Sequence, residues 1–264
     1  MIATVNPTLD FLKLLAHDVR WTLVVTLAES DRRVQELVEH LQKPQNLISY
    51  HLRLLREGQI VTERRSSADG RDVYYSLDLD YLRTLYRASG QTLHPALACA
   101  PLTTDATQPQ GGDDELGEEK RPFRVLFLCT HNSARSQLAE GILRAYGGDL
   151  VEVFSAGNEP DQIHPIAIRV AAAMQIDISN QRSKHMAEFA GQSFDYVITV
   201  CDRVREVCPV FPGDPRQIHW SFPDPAAVAG SEDEQFQAFL QTARELSTRI
   251  HYLRLMMERR AKEQ

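Results

Sequence analysis

Residues 125–136 read VLFLCTHNSARS, an apolar run ending in a cysteine, with an arginine six positions further on. Val125 to Leu128 suit a buried strand and the residues from Ser136 suit a helix, so Cys129 to Arg135 predicts a strand-to-helix turn. Such a turn points unpaired backbone N–H groups inward, and the helix dipole adds positive potential there. The loop Thr130, His131, Asn132, Ser133, Ala134 and Arg135 is therefore a trap for a tetrahedral oxyanion such as phosphate or arsenate, with Cys129 at its base. The same field, with Arg135 nearby, predicts that Cys129 is held as the attacking thiolate. Ser136 is placed to donate a hydrogen bond to it.

Working outward, strands are expected at 124–129, 151–156 and 195–200, and helices at 136–146 and 165–174. The apolar spacing Phe236, Phe239, Leu240, Ala243, Leu246, Ile250, Leu253 predicts a long amphipathic closing helix. Alternating strands and helices imply an α/β unit with a central parallel sheet, whose chemistry belongs at the carboxyl ends of its strands. Cys129 and Cys201 both end strands and would emerge on one edge. Cys208 lies seven residues beyond Cys201. A helix between the two keeps them too far apart for a disulfide, which needs Cα atoms within roughly 4.4–6.8 Å, so that segment must unwind or loop for them to join. Free cysteines are also often small buried hydrophobes; the place of these two opposite a thiolate trap favours redox chemistry.

A chain of 264 residues exceeds a typical single domain of roughly 100–200. Residues 96–122 are rich in Pro, Gly, Thr, Asp and Glu without apolar periodicity, and read as an acidic flexible linker. They divide an N-terminal domain at 1–95 from a C-terminal domain at 123–264. The net charge of −7 lies largely in the linker, and the first domain is close to neutral. No apolar run approaches the ~18 residues of a membrane span, and the N-terminus has acids where a signal peptide needs bases. A cytoplasmic protein without a membrane partner is expected. Four cysteines are too few for a disulfide scaffold. His164 reads as a helix-start residue, His185 and His219 have no metal-ligand spacing, and Trp220 and Phe222 are expected beneath the loop carrying Asp224. No metal and no cofactor is called for.

The N-terminal 95 residues show short, closely spaced helical patterns. One helix begins near Pro44, a residue suited to a first turn. Its positions Ile48, Leu52 and Leu55 form one stripe, and Asn46, Ser49, Tyr50 and Arg53 form another, at offsets that suit a recognition helix in a major groove. Residues 60–65 and 72–77 read as a hairpin, on which Arg64, Arg65 and Arg71 would place positive charge. The run FLKLLAHDVRWTLVVTL, followed by NLISYHLRLLREGQIVTERRSSADGRDVYYSL, resembles the arsenic-repressor (ArsR-type) winged helix-turn-helix proteins. That resemblance implies operator DNA as a partner and a homodimer, with Thr8–Leu15 and Leu79–Ala88 as its surface. A purely protein-binding winged helix is the alternative. The family's usual sensing cysteines are missing from Val34 to Glu39, and Cys99 is either incidental or one half of a site shared between subunits.

In the C-terminal domain, CTHNSARSQLAEG, FSAG at 154–157, DISNQRSKH, VITVCDRVREVCP and HWSFPDP together resemble the thioredoxin-coupled arsenate reductases built on the low-molecular-weight tyrosine phosphatase fold. The resemblance implies that Cys129 and Arg135 engage arsenate and that Asp224 protonates the leaving oxygen. It also implies that Cys201 and Cys208 relay the disulfide outward to thioredoxin. A phosphatase is the competing reading. It is disfavoured by Ala134 where phosphatases carry a second loop cysteine, and by Ala226 and Ala227 where they carry aromatics. Some relatives hold potassium behind the loop with Asn, Glu, Ser and Asp. Asn132, Glu140 and Ser155 match the first three, and Lys184 falls at the fourth, so a built-in ammonium is expected in place of the ion, unless Lys184 points to solvent.

Overall fold

The computed structural model describes residues 7–94, 97, 121–206 and 208–263. The linker expected at 96–122, apart from Leu97, Arg121 and Pro122, lies outside the described residues, as does Cys99. The chain divides into two compact units that do not follow chain order. One holds Met1–Ala28, Gln35–Thr62 and Leu77–Lys120, and the other holds Glu29–Val34, Glu63–Ser76 and Arg121–Gln264.

Helices α1 (Pro7–Leu15), α2 (Asp18–Glu29), α3 (Val34–Leu41), α4 (Gln45–Glu57) and α5 (Leu79–Leu93) build the first unit. In α4 the two stripes separate as their chemistry requires. Ile48, Leu52 and Leu55 are buried, while Asn46, Ser49, Tyr50 and Arg53 are exposed. Pro44 sits one position before the helix rather than within its first turn, and its carbonyl accepts from the amides of Leu47 and Ile48. Asp78 caps α5 by accepting from the Tyr81 amide at 2.9 Å. Helices α1 and α5 pack on each other, and Leu9, Leu12 and Tyr86 remain exposed on them.

The second unit takes most of a small sheet ordered β1-β3-β2, from β1 (Arg32–Arg33), β2 (Val61–Arg65) and β3 (Val73–Leu77). The hairpin stands where the sequence places it; β1 is too short to leave a pattern. The main sheet is parallel and ordered β5-β4-β6-β7, from β4 (Phe123–Cys129), β5 (Val151–Gly157), β6 (Tyr196–Thr199) and β7 (Arg216–His219). Val125 to Leu128 of the inner strand β4 are wholly buried, as a parallel strand covered on both faces demands. Strand β7 escaped the sequence reading because an edge strand of Arg-Gln-Ile-His carries a single aliphatic residue. Around the sheet lie α6 (Arg135–Gly147), α7 (Pro165–Ala173), α8 (Asp202–Glu206) and α9 (Glu232–Glu263). The closing helix starts about one turn before Phe236 and runs more than two turns beyond Leu253, and it packs on α6 and α7. Among the described residues no helix is long and apolar enough to cross a membrane.

Candidate active site

Strand β4 ends at Cys129 and α6 starts at Arg135, so the five residues between must turn in place. Their carbonyls are tied from outside. The Thr130, His131 and Ser133 oxygens accept from the amides of Glu159, Asp161 and His164 at 3.0, 2.9 and 2.9 Å. The Asn132 oxygen accepts from Gln137 Nε2 at 3.0 Å and Ser183 Oγ at 2.7 Å. With the carbonyls held outward, the loop amides are free to face its centre. Asn132 carries the turn in the left-handed region, at φ 46°, a conformation asparagine tolerates better than most residues. Gly157, paired with Cys129 across the sheet, lies so close beneath the loop that a Cβ there would meet the Thr130 oxygen at 2.5 Å.

Cys129 Sγ lies 2.8 Å from Ser136 Oγ and accepts from the Asn132 amide at 3.1 Å. The serine hydroxyl itself accepts from Asn132 Nδ2 at 2.9 Å, leaving its proton for the sulfur. The donors that favour the expected thiolate are opposed by burial. Burial, and then the neighbouring Cys201, push the Cys129 thiol up, against the opposing pull of Ser136, Arg135 and the Asn132 amide. Arg135 is buried, donates to the Phe222 carbonyl at 3.0 Å and pairs with Asp224 at 3.1 Å. Trp220 and Phe222 are buried just before that aspartate. His164 caps α7 by accepting from the Ile166 amide.

Behind the loop runs a buried polar chain. Asn132 Nδ2 donates to Ser155 Oγ at 2.8 Å, and Ser155 in turn donates to Glu140. Lys184 Nζ is 3.2 Å from Glu140 Oε2, donates to the Arg182 carbonyl at 3.0 Å, and has only 12 % of its side chain exposed. The lysine therefore points inward. Its backbone amide also donates to Asn132 Oδ1 at 2.8 Å, which fixes the orientation of that amide. Two partners left no trace in the sequence reading. Arg144, one turn after Glu140, pairs with the same carboxylate, and Gln137 Nε2 reaches both Asn132 and the Arg182 carbonyl.

Cys201 follows β6, the neighbour of β4, and its sulfur is 3.3 Å from Thr130 Oγ1. The two strand-end cysteines thus stand at one sheet edge, both buried. Helix α8 separates Cys201 from Cys208, whose burial pushes its thiol up to about 11. Asp202, between Cys201 and the rest of α8, is wholly buried. It accepts from Arg64 at 3.0 Å, from the Ser67 amide and hydroxyl at 2.7 and 2.9 Å, and from Ser221 Oγ at 2.7 Å. Burial alone would raise this carboxyl; the bonds from His219, Ser221 and Ser67 and the charge of Arg64 hold it well below the usual carboxylate range. Neither Asp202 nor its partners were legible, because the partners come from distant stretches of chain.

Of the residues expected at DNA, Asn46, Ser49, Tyr50 and Arg53 share an open helix face, with the Arg53 guanidinium 5.6 Å from the Tyr50 ring centre. On the hairpin, Arg71 pairs with Asp69 and Arg65 donates to the Gly70 carbonyl. Arg64 is committed to Asp202.

The parallel sheet with a cysteine-to-arginine loop between its inner strand and the following helix defines a phosphatase-type oxyanion site, and the chain belongs to the low molecular weight phosphotyrosine protein phosphatase family, which it matches over residues 124–262. Residues 17–63 match the bacterial regulatory proteins of the arsR family, so an ArsR-type helix-turn-helix is fused to that domain. Among individual relatives, the arsenate reductase of Halalkalibacterium halodurans is 39 % identical over 126 residues, 48 % of this chain and 91 % of the relative. That of Bacillus subtilis is 38 % identical over the same span. A solved structure described as an arsenate reductase in the phosphate binding state is 28 % identical, covering 51 % of this chain and 98 % of its own, with a TM-score of 0.43.

Proposed function

We propose that the protein reduces arsenate to arsenite through Cys129, Cys201 and Cys208, with thioredoxin as reductant, and that its helix-turn-helix binds operator DNA as a homodimer. The observation that carries the enzymatic reading is the pair of buried cysteines on adjacent strand ends, with a third just beyond α8. A phosphatase requires the first alone.

Arsenate entering the loop takes Arg135 over from Asp224. The Cys129 thiolate attacks arsenic, and one As–O bond breaks as Asp224 gives a proton to the departing oxygen, which leaves as water. The Cys201 thiolate then attacks Cys129 Sγ. The S–As bond breaks, its electron pair stays on arsenic, and arsenite leaves behind a Cys129–Cys201 disulfide. Cys208 attacks Cys201, freeing Cys129, and a thioredoxin dithiol takes the disulfide from Cys201–Cys208. The inward Lys184 serves as the permanent cation behind the loop, acting through Glu140, Ser155 and Asn132 on Ser136.

The test is NADPH consumption with thioredoxin, thioredoxin reductase and arsenate, run beside Cys201→Ser, Cys208→Ser and an aryl phosphate. Loss of sustained turnover in both variants, with ester cleavage intact, is the expected result. Ester cleavage without arsenate-dependent consumption by the unaltered protein would establish a phosphatase instead. For the cation, exchanging potassium for sodium should change neither melting temperature nor turnover, whereas Lys184→Gln should cost about 1.5–3 kcal/mol in chemical denaturation, the range for a hydrogen bond to a charged group. A potassium requirement in the unaltered protein would defeat this role.

The open face of α4 supports reading of base edges by Asn46, Ser49, Tyr50 and Arg53, with Arg65 and Arg71 as phosphate contacts, while Arg64, expected in the same role, is held by Asp202. The exposed Leu9, Leu12 and Tyr86 on α1 and α5 support the same helices as the dimer surface.

A further inference from the structure

The relay helix α8 is gripped at two places by side chains of the wing hairpin, all within the second unit. At its start, Asp202 holds Arg64 through both carboxylate oxygens, at 3.1 and 3.0 Å, and accepts twice from Ser67. Arg64 is tied further by its Nε to the Ser221 carbonyl at 3.2 Å and by its NH2 group to the Ser221 hydroxyl. Near the end of α8, the Arg205 guanidinium lies 5.2 Å from the centre of the Tyr74 ring, which itself stands 4.7 Å from the His219 ring. A second buried carboxylate secures the residue before β1, the strand paired with β3: Asp31 accepts from the Ser221 amide at 2.7 Å and from Arg249 at 2.9 Å. The folded α8 thus determines where Arg64 and Tyr74 rest.

That helix cannot stay folded through the relay. The five helical residues of α8 alone advance roughly 7.5 Å, whereas a disulfide requires Cα atoms within roughly 4.4–6.8 Å. Joining Cys201 to Cys208 therefore unwinds α8 beginning at Asp202, the residue that holds Arg64. A guanidinium occupied by a buried carboxylate cannot also neutralise a DNA phosphate.

We infer that the wing is a redox-gated DNA contact: Asp202 withholds Arg64 while the relay cysteines are reduced, and formation of the Cys201–Cys208 disulfide releases it. This rests on the three-cysteine relay proposed above. The electrons balance within that chemistry, since arsenate supplied without a reductant accepts two electrons and leaves the protein as the disulfide.

The experiment compares the full-length protein reduced and after arsenate treatment without thioredoxin, binding a labelled mixed-sequence duplex between 50 and 200 mM salt, with free thiols counted in parallel. One added phosphate contact steepens the fall in affinity over that range by roughly 3.5-fold. The disulfide form should show that steepening, Arg64→Gln should lack it in both states, and Cys208→Ser, which stops at Cys129–Cys201, should behave as the reduced protein. Independently of the relay, reduced Asp202→Asn should resemble the oxidised form. Equal salt dependence in both states with two thiols consumed overturns the gate alone. All four thiols retained after arsenate overturns the relay, and the redox gate with it. A folded, reduced Asp202→Asn with unchanged salt dependence shows that Asp202 does not withhold Arg64.

Discussion

Cys129→Ser is expected to lower arsenate-dependent turnover by on the order of 10^4 to 10^6, the loss seen when a nucleophile is removed from a preorganised site. Aryl phosphate cleavage should fall with it, because both reactions begin at the same sulfur. Cys208→Ser should differ in kind: it completes one arsenite per protein and stops, since Cys129 and Cys201 suffice for the electron transfer itself. Quantifying arsenite in a single turnover separates the two variants. The third step carries its own pH dependence. With the Cys208 thiol pushed up to about 11, roughly one molecule in 3,000 is a thiolate at pH 7.5, against roughly one in ten for an exposed cysteine. Rising pH favours the attacking form, so the step accelerates as pH increases. Because α8 must unwind first, the rate should level off near the ordinary thiol value of about 8.5. A rate that climbs tenfold per unit to pH 10 would show that Cys208 attacks from its buried position. Quenched-flow thiol trapping at several pH values decides between them.

Gly157→Ala should disable the site without touching a reacting group. The added methyl would stand 2.5 Å from the Thr130 oxygen, 2.9 Å from the Asn132 nitrogen and 3.1 Å from the Cys129 oxygen. All three are backbone atoms of the oxyanion loop, so the loop itself must move. Overpacking of this sort costs about 1–3 kcal/mol, and a displacement of reacting groups approaching 1 Å can cost about 100-fold in rate. Turnover should therefore fall far more than the melting temperature would suggest, and phosphate should weaken as a competitive inhibitor. Unchanged turnover with a lowered melting temperature would mean the loop absorbs the methyl elsewhere.

Local chemistry was readable and long-range partnership was not. The strand before Cys129, the helix after Arg135 and the split faces of α4 follow from periodicity over a few residues, a property of short stretches. The inward turn of Lys184 followed from matching loop-side residues to a known pattern. Gly157 gave no local cue, because its need for a missing side chain arises only when β5 lies against β4. Asp202 looked like one more polar residue between two cysteines; its meaning comes from Arg64 and Ser67, more than 130 residues away. The raised Cys129 thiol escaped for a related reason: charge and donors are visible in a motif, whereas depth of burial depends on everything packed around it.

The interleaving of the two units also bears on heredity. A coding sequence cut in the acidic stretch would deliver an intact-looking catalytic half, yet one without residues 29–34 and 63–76, which fold with it. Asp202 would lose Arg64 and Ser67, Arg249 would lose Asp31, and the His219 amide would lose its bond to Ser30. The join between regulator and enzyme is therefore not a seam that recombination could reopen cleanly, because side chains from before the acidic stretch complete the catalytic half. Shuffling experiments that exchange the regulator should carry the hairpin with the enzyme.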